Sequence, residues 1–390
     1  MKVCFETFGC RLNRAEALGE EAKYLASGWE RTTKHSDADL FVISGCSVTA
    51  KAQRDCEKLI EHLKKHYPNK RLIVRGCLTT NESKAHAYKQ DVGEPLPTVT
   101  SRAYLKVQDG CSGKCTFCIV PKFRGASVSM PFGGLLDRAK QYVDAGYHEI
   151  VVTGCNLSLY ASEGKRLPEL LNELAGISPD CRIRLGSLEP SAVAMDTVDV
   201  IADCDNLCKH LHIPIQSASN HILSAMQRPY LLRDVEQLIL TAITKMPGFA
   251  LGCDLIAGFP GETEIDYDAN KGLLKRFPFV RAHVFPYSER PGTKAVALGN
   301  PVPKDLRKHR AHRLTQIADE QLRLYVKRFV GREVQVVVED INKGGGWTGE
   351  HVWCEAVDMA KTRKQTYKRK SLVTYRVREA HNGQLKGAVV

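Results

Sequence analysis

The sequence predicts an α/β protein in three parts: an N-terminal parallel α/β domain over 1–95, a central partial (βα)6 barrel over 101–329, and a small C-terminal β-barrel over 330–390. Three observations carry this. Short apolar runs alternate with helix-length segments as far as Phe329, as parallel strands joined by helical crossovers require. Two sets of three cysteines fall where such strands end. Beyond Gly331 the chain turns to short β-rich runs broken by glycines and basic residues.

In order, residues 2–8 (KVCFETF) read as a strand, and 11–28 as a helix rich in Ala, Leu and Glu that Gly28 ends. Residues 38–44 form a second strand, mostly apolar as a buried parallel strand should be. A helix over roughly 49–66 is closed by Pro68, and 71–76 give a third strand. Each of these strands ends in Gly-Cys: Gly9-Cys10, Gly45-Cys46 and Gly76-Cys77. Parallel strands share a direction, so their carboxyl ends line one edge, where open α/β sheets bind ligands. Three cysteines distant in sequence therefore converge, and the glycines let backbone approach a bulky ligand. Three buried core thiols are the plainer alternative. Residues 78–103 are polar, contain Pro95 and Pro97, and read as a short helix and a linker.

Six strand candidates follow, at 104–109, 149–153, 182–186, 211–215, 249–257 and 279–287. Helical stretches separate them at about 132–146, 167–176, 191–203, 219–245 and 262–276. In such folds the active site sits at the carboxyl ends of the strands. The loop after the first strand holds Cys111, Cys115 and Cys118 in the pattern C-x3-C-x2-C. Thiolates this close suit one soft metal centre, an iron–sulfur cluster or zinc. The fourth thiolate of a closed structural site is missing, so a four-iron cluster held there keeps one iron open. A zinc knuckle or unrelated core thiols is the alternative. Phe117 would shield the centre from water. Asn156, Glu189 and Gln216 follow later strands and offer polar side chains to the same mouth, in peptides that equally suit turns.

Residues 304–329 read as a long basic helix that packs Leu306, Leu314, Ile317, Leu322 and Tyr325 on the barrel. Strands at 333–338, 347–357 and 371–379 follow, with the basic run KTRKQTYKRK at 361–370 suited to phosphate. The net charge of +12 points to an anionic partner such as nucleic acid. Fourteen cysteines read as metal ligands or core thiols in a reducing compartment. No apolar run reaches the ~20 residues of a membrane span. MKVCFETFGC lacks the parts of a signal peptide, so a cytoplasmic location with no membrane partner is expected.

The motifs together resemble the radical S-adenosylmethionine (SAM) methylthiotransferases. FGCRLNRAEA and SGCSVTAKA are similar to that family's N-terminal domain, and YLKVQDGCSGKCTFCIVPKFRG to its cluster loop. EIVVTGCN, RIRLGSLEP, HLHIPIQSASNHILSAMQRPY, DLIAGFPGETEIDY and HVFPYSERPGT resemble its successive barrel motifs. The C-terminal barrel resembles a short TRAM domain, which binds RNA. The resemblance implies two [4Fe-4S] clusters: an auxiliary one on Cys10, Cys46 and Cys77, and a SAM-binding one on Cys111, Cys115 and Cys118. Phe117, Asn156, Glu189 and Gln216 would line the SAM pocket. In that family the open iron chelates SAM, and one electron splits SAM to a 5′-deoxyadenosyl radical. TFGC, SVTAKA and HVFPYSERPGT look most like the branch that methylthiolates carbon 2 of N6-threonylcarbamoyladenosine beside the tRNA anticodon. The implied partners are tRNA, an electron donor such as flavodoxin or ferredoxin, and a sulfur source. The alternatives are isopentenyladenosine in tRNA, a ribosomal-protein aspartate, or a non-catalytic iron–sulfur RNA-binding protein. Two open three-cysteine sets count against the last.

Overall fold

The computed structural model describes residues 1–78, 94–97, 99–357 and 368–390. The N-terminal strands Lys2–Thr7, Leu40–Gly45 and Arg71–Gly76 form a parallel sheet, as the sequence predicts. A further two-residue strand, Glu30–Arg31, pairs with the outer side of Lys2–Thr7. It is too short and too charged to show in the sequence. Two helices cover this sheet, Arg11–Ala26 (α1) and Ala50–His66 (α2). Thr49 caps α2, its hydroxyl accepting from the Ala52 amide at 3.1 Å. The short helix expected within 78–103 falls largely on residues 79–93, outside the described residues.

The central part carries six parallel strands: Ala103–Lys106, Glu149–Thr153, Arg182–Leu185, His210–Gln216, Ala250–Ala257 and Phe279–Pro286. They form two sheets of three, joined by the parallel bridges Ile183–Leu207 and Ser187–His212. Leu105, Ile150, Val152, Ile183, Leu185, Leu211, Ile213, Leu251 and Leu255 belong to the main core shared with the helices. Successive side chains of a strand point to opposite faces. Tyr104, Lys106, Val151, Arg184, His212, Asp254 and His283 therefore face the concave side, and that lumen is polar. α1 packs Ala15 and Leu18 against Tyr104 and Val151, so the N-terminal domain roofs the first two barrel strands from inside.

The helix expected over 219–245 is two helices, Asn220–Ala225 and Leu232–Lys245. Pro229 lies in the break and has no N–H to continue the ladder. The long helix Lys304–Val326 buries Leu314, Ile317 and Tyr325 as expected, but Leu306 is exposed. Leu322 and Tyr325 pack on the C-terminal core, to which the barrel contributes Ala250 and Val280. Two of its basic residues turn inward: Arg307 pairs with Glu289 at 2.6 Å, and Arg310 with Glu262 at 2.7 Å.

The C-terminal strands Glu333–Asp340, Gly345–Thr348, Trp353–Ala356, Leu372–His381 and Gln384–Val389 close into a barrel. The run 347–357 is thus split by a turn, and a last strand appears beyond 379. Arg182 Nη1 donates to the Gln335 carbonyl at 3.0 Å and Arg184 Nη2 to that of Thr348 at 2.7 Å. Glu149, fully buried, accepts from Arg182 Nε at 2.6 Å and Arg184 Nε at 2.8 Å. Glu149 and Arg182 begin their strands, so the small barrel docks at the end away from the cysteine loop. Of the basic run 361–370, residues 361–367 lie outside the described residues. Among the described residues no helix is long and apolar enough to cross a membrane.

Candidate iron–sulfur and substrate site

The three Gly-Cys corners of the N-terminal sheet meet. A Cβ on Gly9, whose φ is +93°, would fall 2.7 Å from Cys46 Sγ. One on Gly45 would meet Leu78 Cβ at 2.5 Å, and one on Gly76 the Gly45 carbonyl oxygen at 2.6 Å. The glycines are required in any case by the chain segments that crowd one another at this edge. Asn13 staples this edge, donating to the carbonyls of Phe8 at 3.0 Å and Gly45 at 2.8 Å. Cys10 is exposed, whereas Cys46 and Cys77 are buried. Burial pushes the Cys77 thiol up to about 11, partly offset by Arg124.

The loop cysteines sit at the carboxyl end of the first barrel strand. The Gly113 amide donates to Cys111 Sγ at 3.3 Å, and a Cβ there would lie 3.2 Å from that sulfur. Thr116 ties the loop to the helix break, with its amide on the Met226 carbonyl at 3.0 Å and its hydroxyl on that of Ala225 at 2.9 Å. Burial, then the neighbouring thiols, pushes Cys118 up to about 11.

Two arginines complete the picture, and sequence reasoning missed both. Arg124 follows the loop and donates Nε to Cys77 Sγ at 3.1 Å. Its remaining N–H groups reach Glu16 at 2.8 and 2.9 Å, Asp109 at 3.0 Å and Asn13 at 2.6 Å. Lys106 closes this group on Glu16 at 2.7 Å and Asp109 at 2.6 Å. Arg228, freed by the break at Pro229, donates Nη1 to Cys115 Sγ at 3.0 Å and pairs with Glu189. Both lie inside motifs that resemble the family's, Arg124 at the end of the cluster loop and Arg228 beside Pro229, and that was the available signal.

Of the predicted pocket residues, Asn156 and Glu189 come together. Asn156 Nδ2 donates to Glu189 Oε2 at 2.6 Å, which links both to Arg228 and the cluster loop. Gln216 ends its strand at a register shift with φ of +68°, in the left-handed region, and lies apart from that chain of bonds. Phe117 packs edge-on against Phe259, with ring centroids 6.4 Å apart, beside the Ile222, Met226 and Tyr287 cluster. Cys155 lies 3.7 Å from Asp109 Oδ1, and burial raises its pKa well above the usual thiol range.

Each place offers three thiols and one arginine N–H. Soft donors with a compensating hydrogen bond suit an iron–sulfur cluster and not magnesium or calcium. Buried thiols must lose protons to bind, so loading the site would release them.

In the lumen, His212 Nε2 lies 3.1 Å from Asp254 Oδ1. Gly252 makes room for the imidazole, since a Cβ there would lie 2.6 Å from His212 Nδ1. His283 stands 5.5 Å from His212, and burial pushes it down to about 4. His283 is therefore neutral at physiological pH.

The Radical SAM superfamily model matches residues 105–270, and the Uncharacterized protein family UPF0004 matches 2–93. The threonylcarbamoyladenosine tRNA methylthiotransferase MtaB of Bacillus subtilis is 30% identical over 389 residues, covering 87% of this chain and 85% of that protein. The chain belongs to the radical-SAM methylthiotransferase family. MtaB of Thermotoga maritima is 31% identical and covers 86% of each chain. The tRNA-2-methylthio-N(6)-dimethylallyladenosine synthase of Cereibacter sphaeroides is 32% identical, covering 90% of this chain and 89% of that one. Among solved structures, the radical SAM methyltransferase TsrM from Kitasatospora setae matches with a TM-score of 0.53 at 12% identity, covering 75% of this chain and 76% of that one. At that identity the likeness is one of fold. As a radical-SAM methylthiotransferase, the protein uses an iron–sulfur cluster and SAM.

Proposed function

We propose that this methylthiotransferase acts on tRNA, converting N6-threonylcarbamoyladenosine beside the anticodon to its 2-methylthio derivative. The observation that carries this is the pair of three-thiol sets, one on the sheet edge with Arg124 on Cys77 and one on the barrel loop with Arg228 on Cys115. Relatives named for threonylcarbamoyladenosine support this choice of substrate. Cys111, Cys115 and Cys118 would hold one [4Fe-4S] cluster with SAM, and Cys10, Cys46 and Cys77 a second. When bound, these groups supply a carbon radical and the sulfur that side chains lack. Carbon 2 of adenine carries an unactivated C–H bond that no side-chain base removes at neutral pH.

The chain's own residues would bind and orient. Asn156 and Glu189 would face SAM from the loop mouth, with Gln216 at the neighbouring strand end and Phe117 packing behind the last cysteine. Arg124 and Arg228 would offset thiolate charge. α1 would close the lumen over the target base and exclude water. The domains would divide the work: 1–95 for the second cluster, 101–329 for SAM, and the TRAM-like 330–390 for RNA. That small barrel docks at the far end from the loop, so it would grip tRNA away from the base being modified, which must be splayed out to enter. Electrons from a flavodoxin or ferredoxin and a separate sulfur source would be needed, in the cytoplasm.

The test is mass spectrometry of tRNA nucleosides from cells with and without the gene. Loss of 2-methylthio-N6-threonylcarbamoyladenosine, with its precursor accumulating, is the expected result. The dimethylallyladenosine relatives favour a second reading, isopentenyladenosine, which the same spectra would reveal as loss of that product instead.

A further inference from the structure

Arg11 is the first residue of α1 and follows Cys10 directly. Residues three and four apart share a helix face. Arg11, Ala15 and Leu18 therefore lie on one face, and Ala15 and Leu18 contact the lumen side of the barrel at Tyr104 and Val151. The partly buried Arg11 side chain thus belongs to the lumen and not to the outer surface. Its electrostatic surroundings agree: it feels Arg184, Arg102, Tyr104 and Glu149 from the first strands, and Asp254 and His283 feel it from the far ones.

Among the described residues Arg11 has no hydrogen-bond or ion-pair partner; Arg14 and Arg281, likewise without one, lie over the rings of Tyr104 and Trp347, and the remaining arginines of this region are paired. Arg182 and Arg184 hold Glu149, Arg124 holds Glu16 and Asp109, and Arg228 holds Glu189. Glu149 already accepts from two guanidinium groups and lies 3.8 Å from a third, Arg102. Asp254 is taken by His212. The lumen thus holds more guanidinium groups than carboxylates, and Arg11 is left without one. A partly buried cation without a counter-ion is costly, and a planar guanidinium is matched best by a two-oxygen anion.

We propose that Arg11 is a specificity-determining residue whose guanidinium holds the carboxylate of the threonylcarbamoyl group when the target nucleoside enters the lumen. This rests on the threonylcarbamoyladenosine reading above. An isopentenyl group has no charge to offer, and the same unpaired cation then counts against it. SAM also carries a carboxylate, so the test separates the two sources.

The experiment measures binding of anticodon stem-loop RNAs to the cluster-loaded full chain by fluorescence anisotropy. The RNAs carry threonylcarbamoyladenosine, the same group amidated to a neutral amide, isopentenyladenosine, or plain adenosine. Wild-type protein should bind the free acid at least about tenfold tighter than the amide, as a buried charge-assisted pair implies. Arg11→Gln should lose that preference while binding of adenosine RNA, SAM affinity and iron content stay unchanged, and Arg11→Lys should restore part of it. Equal binding of acid and amide by wild-type protein overturns the proposal without any variant. So does an Arg11→Gln protein that keeps the preference, or one that loses SAM affinity instead. If wild-type enzyme methylthiolates the isopentenyl RNA and not the threonylcarbamoyl RNA, the substrate reading itself has failed; retained turnover of the latter with no role for Arg11 leaves that reading standing.

Discussion

Replacing Arg124 by methionine should loosen the N-terminal domain from the barrel. The Arg124 side chain is 4% exposed and makes hydrogen bonds to four residues, two of them carboxylates. Glu16 and Asp109 would be left to Lys106 alone, one cation for a half-buried and a buried carboxylate. Breaking a buried ion pair from one side costs about 3–5 kcal/mol. Each 1.4 kcal/mol is a tenfold change in an opening equilibrium, so α1 should exchange its amide hydrogens on the order of a hundredfold to a thousandfold faster. Hydrogen exchange read by mass spectrometry over Arg11–Ala26 is the assay, with Leu167–Ile177 as an internal reference. Exchange in α1 within about threefold of wild type would refute the reasoning, because the group would then be too well solvated to tie the domains. If the proposed second cluster sits on Cys77, removal of this N–H should also shift its potential to a lower value, since hydrogen bonds to sulfur favour the reduced form.

Glu149→Gln should leave Arg182 and Arg184 short of a counter-charge at a cost of about 3–5 kcal/mol, and faster exchange at Gly345–Thr348 would show the small barrel undocking. The Arg184, Arg182 and Arg102 guanidinium groups hold the Glu149 carboxyl below the usual carboxylate range despite burial. A depressed folded pKa adds stability above the unfolded value of about 4.3 that is lost as pH falls below it. Thermal unfolding of wild type should therefore drop more steeply than that of Glu149→Gln below pH about 4. Cys155→Ser should keep two clusters' worth of iron, whereas Cys77→Ala should keep one; equal losses would place Cys155 among the ligands.

The repeated Gly-Cys corners were legible because parallel topology alone brings Cys10, Cys46 and Cys77 to one edge. The loop pattern was legible for the same reason, since its three thiols are close along the chain. What the sequence hid were the ion pairs. Arg124 and Glu16 are far apart in the chain, and no periodicity says which carboxylate an arginine will find. Arg307 and Arg310 looked like solvated helix charges until the structure set Glu289 and Glu262 beside them, while Leu306, on the face assigned to the barrel, stayed in water. The role of the glycines was half visible: their need for space was clear, but the crowding partner was another strand end. The last strand, Gln384–Val389, was missed because Lys386 and Gly387 interrupt its apolar pattern, and pairing with Leu372–His381 supplies what local propensity does not.

The most direct test of two three-thiol sites with separate duties is to assay Cys46→Ala and Cys118→Ala, cluster-loaded and reduced, with SAM and a threonylcarbamoyladenosine stem-loop. Cys118→Ala should make neither 5′-deoxyadenosine nor methylthio product, and Cys46→Ala should make 5′-deoxyadenosine without methylthio product. A Cys46→Ala enzyme that still methylthiolates the RNA would contradict the second site.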